Sequence, residues 1–299
     1  MQQRLPTRLK PGDTIGVCAP SGVFDPALFE TGLSHLRGMG FKIELPPGLG
    51  EAKGYLAGGD LHRAGIVNAL FKSTKIKAIL CARGGFGALR VLPHLDFAPL
   101  RHAPKFLVGF SDITAILSEG LKQCDFPMIH GPVVTSLARA STRTLDSLFC
   151  AMTEPFSGLV LQGGITLRRG RVAGTLKGGN LATLVSMVGT LYSPDFTDSI
   201  LFLEDTGEPA YKIDRMLTQL CLAGVLAGVR GVVLGTFDRC GDVSKIYDIV
   251  TERFDDPMVP ILAGLDAGHG EPNLSLPLGV RLILDADRHT LGVAPAGKL

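Results

Sequence analysis

The chain has 299 residues, enough for about two domains at roughly 150 residues each. Hydrophobic residues make up 45% and charged residues 19%, a globular composition that excludes intrinsic disorder. The formal charge is only +2, and Lys and Arg are scattered in ones and twos with no basic tract, so no nucleic-acid-binding footprint is present.

Thr14–Ala19 is an apolar β run and predicts a buried strand. Asp25-Pro26 then supplies an N-cap and a first-turn proline for a helix reaching about Met39. Asp60 is expected to cap a second helix, Leu61 to about Ser73. Strands follow at Ile76–Ala82 and Lys105–Phe110, a helix over about Asp112–Lys122, and a short strand at Pro127–His130. This alternation argues for a parallel sheet covered on both faces.

A helix near Thr144–Thr153 closes the first domain, taken as residues 1–153. Residues 154–178 are rich in Gly and β-formers and read as a connection, with a turn at Arg168–Arg171. The second domain, 179–299, opens with a helix after Asn180 and a strand at Ser199–Leu203. A long helix from about Pro209 to Ala227 comes next, then a strand at Gly231–Phe237 and a helix from about Ser244 to Phe254. Val280–Asp285 and Thr290–Ala294 form a terminal hairpin across Ala286–His289.

The apolar segment Met216–Phe237 is broken by Arg230-Gly231, so helix plus strand explains it better than a membrane span. Without a secretory signal or a span, the expected location is the cytoplasm. The six cysteines form no C-x-x-C pair and sit mostly in apolar runs, as buried reduced thiols do. No histidines stand at metal-ligand spacing, and no metal or other cofactor is expected.

Four segments can carry chemistry. In Leu107-Val-Gly-Phe-Ser111-Asp112 an apolar strand runs straight into a helix, the setting of a nucleophile elbow. The competing reading makes Ser111 or Asp112 a plain N-cap. Arg83-Gly-Gly-Phe-Gly87 follows another strand; its glycines can bring backbone N–H donors close to a ligand. It lacks both a P-loop lysine and G-x-G-x-x-G spacing, and Arg83 could fork onto a carboxylate. Glu204 and Asp205 end a strand, with Glu208 as a second candidate acid. His269 lies between two glycines in a loop, and His130, at a strand end, is the competing base. A serine nucleophile needs a base, and the base needs a carboxylate to fix its tautomer.

The ordered set of motifs resembles the LD-carboxypeptidase (muramoyltetrapeptide carboxypeptidase) family of serine peptidases, which includes microcin-immunity enzymes. Those motifs are Pro11–Ser21, Arg83–Gly87, Gly109–Asp112, His130–Pro132, Gly178–Asn180, Phe202–Asp205, Tyr211–Arg215, Gly268–Gly270 and Asn273–Gly279, spanning nearly the whole chain. The resemblance implies a Rossmann-like N-terminal domain and a smaller β-rich α/β C-terminal domain. It implies Ser111 as nucleophile, His269 as base, Glu204 as its orienter, and backbone N–H groups of Asp112 and Gly85 as oxyanion hole. Phe86 stands where the family often has tyrosine, a change that spares the backbone donors. The implied substrate is a murein tetrapeptide losing its terminal D-Ala, with Arg83 as candidate partner of the free carboxylate; a homodimer is also implied. Two alternatives stay open: cleavage of peptidyl- or aminoacyl-nucleotide amides, and non-catalytic small-molecule binding.

Overall fold

The computed structural model describes residues 4–154 and 156–293, which divide into two compact units. The first holds the chain up to Glu154 together with Pro272–Pro277; the second holds the stretch ending at Glu271 and the chain from Leu278 onward. Ala294, the expected last residue of the terminal hairpin, lies outside the described residues.

The first unit is built on β1 (Thr14–Cys18), β2 (Lys42–Glu44), β3 (Ile76–Cys81), β4 (Phe106–Gly109) and β5 (Met128–His130). These five pair in parallel in the order β5-β4-β3-β1-β2. β4 is buried along its whole length, as a central parallel strand covered on two faces must be. The first helix, Pro26–Gly38, starts where Asp25 accepts from the N–H groups of Ala27 and Leu28 at 2.8 and 2.9 Å. The next, Asp60–Lys72, departs from expectation: Gly59 takes the cap position, with no side-chain capping bond. Asp60 instead pairs with Arg63 at 2.5 Å and Arg90 at 2.8 Å, because two guanidinium groups outcompete one orphan N–H.

The second unit holds β6 (Val160–Gln162), β7 (Ile165–Arg168), β8 (Arg171–Asn180), β9 (Ser199–Thr206), β10 (Val229–Asp238) and β11 (Ile261–Ala263). The chain then adds β12 (Leu276–Leu278) to the first sheet beside β5, and ends with β13 (Arg281–Asp285) and β14 (Thr290–Gly292). The second sheet runs β6-β14-β13-β8-β9-β10-β11-β7, parallel through β8–β11 and antiparallel at both flanks. Residues 160–168 and the first part of β8, read from sequence as a connection, thus supply strands to this sheet. Helices Leu181–Met187, Ala210–Leu222 and Val243–Arg253 cross between its parallel strands. Leu201, Leu203, Ile213, Leu217, Leu234 and Ile246 are fully buried in its core. The expected architecture, a parallel-sheet N-terminal part and a β-rich α/β C-terminal part, is the one formed.

The helix expected over Pro209–Ala227 stops at Leu222. The N–H groups of Ala223 and Gly224 turn back to the Gln219 and Cys221 carbonyls at 2.9 and 3.0 Å, closing the last turn. All six cysteines are free; Cys18, Cys81, Cys124 and Cys240 are buried, but Cys150 is exposed and Cys221 half-buried. Cys150 departs from expectation because its helix, Thr142–Thr153, buries Thr144, Leu148, Ala151 and Met152 on another face. Among the described residues no helix is long and apolar enough to cross a membrane.

Candidate active site

The first unit presents its candidate residues where parallel strands end, beside the point at which the strand order reverses between β1 and β3. After β4 and Phe110, Ser111 adopts φ +62, a left-handed conformation that non-glycine residues rarely take. Such a residue costs about 1–3 kcal/mol and persists only where its surroundings enforce it. A single 3₁₀ turn, Ser111–Ile113, leads into helix Thr114–Gln123. The N-cap reading therefore fails: Ile113 precedes the helix, and no side chain caps it.

The Asp112 carboxylate has a different task. Its Oδ2 accepts from Ser21 Oγ at 2.6 Å and from the Ala88 N–H at 2.8 Å. One oxygen thus ties the elbow to the loop after β1 and to the end of the glycine loop. Burial raises the Asp112 carboxyl above its ordinary range, opposed by those two hydrogen bonds and by the Arg63 charge.

The glycine loop lies directly against the serine. A Cβ built on Gly84 would sit 2.9 Å from Ser111 Cβ, so no side chain fits there. The Gly84 carbonyl accepts from Gly22 N at 3.1 Å, joining the loop to the one after β1. Arg63, only 1% exposed, clamps the same loops. It donates to the carbonyls of Gly87 at 2.9 Å, Gly58 at 3.3 Å and Pro20, and pairs with Asp60. Sequence reasoning missed Arg63, because nothing local marks one arginine of a helix as buried. Arg83 is exposed; its Nη1 donates to the Val23 carbonyl at 2.5 Å, and it has no ion pair among the described residues. His130 is fully buried, edge-on to the Phe110 ring at 6.0 Å between centroids.

The second unit brings Glu204 and His269 together. Glu204 is fully buried on β9, and its Oε2 accepts from His269 Nδ1 at 2.6 Å. That bond fixes the tautomer in which Nε2 is the basic nitrogen. Gly268, at φ +117, permits the approach: a Cβ there would lie 2.6 Å from Glu204 Oε2 and 2.8 Å from Thr236 Oγ1. Thr236 pins the loop from the other side, accepting from Gly270 N at 3.0 Å and donating to the Ala267 carbonyl at 3.2 Å. Burial opposes the His269 cation, but the hydrogen bond and charge of Glu204, with Asp205 and Asp238, outweigh it and raise its pKa above the ordinary value.

Asp205 is pushed up to about 6, chiefly by burial and further by the Glu204 charge. It nevertheless accepts from Asn180 Nδ2 and Ala182 N at 2.9 Å and from Thr206 N at 2.8 Å, which makes it a structural tie between β9 and the helix after β8. Glu208 sits apart from this pair, 3.2 Å from Lys212. The candidate residues thus gather in two groups: Ser111 with Asp112, Gly85 and Arg83 in the first unit, Glu204 with His269 in the second. Among the described residues no cluster of three or more His, Cys, Asp or Glu could hold a metal ion.

The sequence matches the LD-carboxypeptidase N-terminal domain over residues 15–131 and the LD-carboxypeptidase C-terminal domain over residues 173–284. The chain belongs to the LD-carboxypeptidase family. As a member it is a carboxypeptidase of the serine type. It is 33% identical to a probable murein peptide carboxypeptidase of Bacillus subtilis, over 95% of this chain and 92% of that one. It is 32% identical to a murein tetrapeptide carboxypeptidase of Pseudomonas aeruginosa, over 92% and 94%. Among solved structures, MccF in complex with glutamyl sulfamoyl guanosine superposes with a TM-score of 0.89 at 27% identity, covering 97% of this chain and 98% of that one. The chain is also 28% identical to the microcin C7 self-immunity protein MccF of Escherichia coli, over 94% of this chain and 93% of that one, and the fold alone does not choose between the substrates of such relatives.

Proposed function

We propose that this chain is a serine L,D-carboxypeptidase that removes the terminal D-Ala from murein tetrapeptides, acting as a homodimer in cytoplasmic peptidoglycan recycling. Ser111 Oγ attacks the carbonyl carbon of the third residue while His269 Nε2 takes its proton. Glu204 holds the imidazole by Nδ1 and stabilises the imidazolium. The backbone N–H groups of Asp112 and Gly85 receive the developing oxyanion, each such donor typically contributing about 3–4 kcal/mol. His269 then returns the proton to the D-Ala nitrogen, the C–N bond breaks, and an acyl-enzyme remains. Water, deprotonated by His269, attacks that ester and frees Ser111. Arg83 takes the free carboxylate of the leaving residue.

The observation that carries this reading is Ser111 itself, a non-glycine residue at φ +62 where a buried strand meets a helix. A structural turn has no need of that strain, whereas a nucleophile elbow uses it to expose the hydroxyl. The Glu204–His269 bond of 2.6 Å supports the assignment of base and orienter. An aminoacyl-nucleotide substrate would call for an aromatic platform under its base; with no Trp and four Tyr in the chain, Phe would have to share that role.

The test is D-Ala release from L-Ala-γ-D-Glu-meso-diaminopimelate-D-Ala by the wild type beside Ser111→Ala. Release by the wild type alone supports the proposal. Equal release by both removes Ser111 from the mechanism. Release by neither, with both folded, shifts the reading to aminoacyl-nucleotide amides, which the same pair of proteins then tests.

A further inference from the structure

Two large aromatic side chains stand exposed beside the glycine loop. Tyr55 is 62% and Phe86 48% exposed, and their rings meet at 5.9 Å between centroids, inclined at 60°. Exposed rings in mutual contact form an apolar surface rather than scattered single residues. Backbone bonds tie the loop after β1 to the two segments that carry these rings. The Tyr55 carbonyl accepts from Val23 N at 3.1 Å, and Gly22 N donates to the Gly84 carbonyl at 3.1 Å. A Cβ on Gly22 would lie 3.4 Å from the Tyr55 carbonyl oxygen and 3.9 Å from Gly85 Cα, so Gly22 lies between the Tyr55 turn and Gly85.

The charges on this rim are unequal. Arg90 is met by Asp60 at 2.8 and 3.1 Å. Arg83 has its carbonyl partner on Val23 but no carboxylate partner among the described residues. Gly85 is flanked by Phe86 on one side and lies two residues from Arg83 on the other. Arg83, the Gly85 N–H and one ring of the wall, Phe86, therefore lie within four consecutive residues, and the loop touches Ser111 at Gly84.

We propose that the Tyr55–Phe86 wall is the subsite for the side chain of the leaving residue, and that the enzyme releases large apolar D-amino acids as well as D-Ala. The inference rests on the function proposed above, in which Arg83 holds the leaving residue's carboxylate and Gly85 faces the scissile carbonyl. The leaving residue's Cα is joined to both the scissile nitrogen and that carboxylate. Its side chain is thus confined to the neighbourhood of both anchors, where the two rings stand. A methyl group covers little of such a wall; a leucine or phenylalanine side chain buries far more apolar surface on it. The hydrolysis is unchanged in its atoms: one amide bond breaks, water adds, and a free D-amino acid leaves.

The experiment compares kcat/KM for three tetrapeptides, L-Ala-γ-D-Glu-meso-diaminopimelate followed by D-Ala, D-Leu or D-Phe, with wild type, Tyr55→Ala, Phe86→Ala and Phe86→Tyr. The wild type is expected to cleave the D-Leu and D-Phe peptides within about tenfold of D-Ala. Each alanine variant should lower the D-Leu:D-Ala ratio about tenfold, the scale of lost apolar contacts in a substrate pocket. Phe86→Tyr should keep the ratio. A variant that merely misfolds lowers all three peptides together and leaves the ratio intact, so the ratio isolates the wall. Cleavage of D-Ala with D-Leu and D-Phe more than a hundredfold slower overturns this inference and leaves the proposed function standing. An unchanged ratio in both alanine variants also overturns it. No cleavage of any peptide overturns the proposed function, and this inference with it.

Discussion

Asp112→Ala is the perturbation whose size follows most directly from the structure. It removes one carboxylate oxygen that accepts from Ser21 Oγ at 2.6 Å and from Ala88 N at 2.8 Å. Ser21 and Ala88 are both fully buried, so water cannot replace the lost acceptor without rearrangement. Each buried donor left unsatisfied costs about 1–3 kcal/mol, or roughly 2–6 for the two. Part of that is returned, because the carboxylate no longer bears its own desolvation. A net loss of about 3 kcal/mol is expected.

Asp112→Asn is the matched control. A neutral amide oxygen can occupy the same place and accept from both donors. The Asp112 pKa is raised in the folded state, which therefore holds the proton more tightly than the unfolded chain. Its carboxylate lowers stability progressively as pH rises from the ordinary value of 3.8 through the raised one, and asparagine removes that dependence. At neutral pH Asp112→Asn should lie within about 1 kcal/mol of wild type. The assay is urea unfolding at pH 7. With m near 2 kcal/mol/M, Asp112→Ala should lower the midpoint of the first unit's transition by about 1.5 M. Equal midpoints for wild type and Asp112→Ala, or equal losses in the alanine and asparagine variants, would refute the reasoning.

Three further outcomes follow from the same geometry. Gly268→Ala places a Cβ 2.6 Å from Glu204 Oε2 and should lower kcat at least about a hundredfold, the scale of general-base catalysis, with circular dichroism unchanged; wild-type turnover would show that the loop yields. Since the Glu204 bond and charge hold the His269 pKa above the ordinary imidazole value of 6.5, the acid limb of kcat/KM should fall above that pH. In Glu204→Gln burial is left to dominate, so the limb should move to lower pH while partial activity remains; an unmoved limb would detach Glu204 from the base. Arg63→Met strips a buried cation from three carbonyls and from Asp60, and should cost about 3–5 kcal/mol in urea unfolding; a loss below 1 would mean that the clamp is replaceable.

Much of the chain could be read from residue order. The apolar runs of β1, β3, β4 and β9, the Asp25-Pro26 helix start and the strand–helix alternation depend on local patterning, which the fold preserves. Short strands such as β2, β11 and β12 carry too few residues for any period to show. The family resemblance identified candidate residues because ordered motifs survive in the sequence, whatever their spacing in three dimensions.

Other properties exist only once distant segments meet. The choice of Glu204 rather than Glu208 as neighbour of His269 depends on how β9 and the loop after β11 are placed, and the two acids look alike in sequence. Asp60 reads as a helix cap until Arg63 and Arg90 converge on it. Asp112 reads as a cap until Ser21 and the Ala88 N–H reach its carboxylate from two other loops. The buried Arg63 and the exposed Tyr55–Phe86 pair are invisible for the same reason. Residue order shows which residue types can do chemistry and which elements carry them. Burial and pairing emerge with the folded chain, because both are set by contacts between residues far apart in sequence.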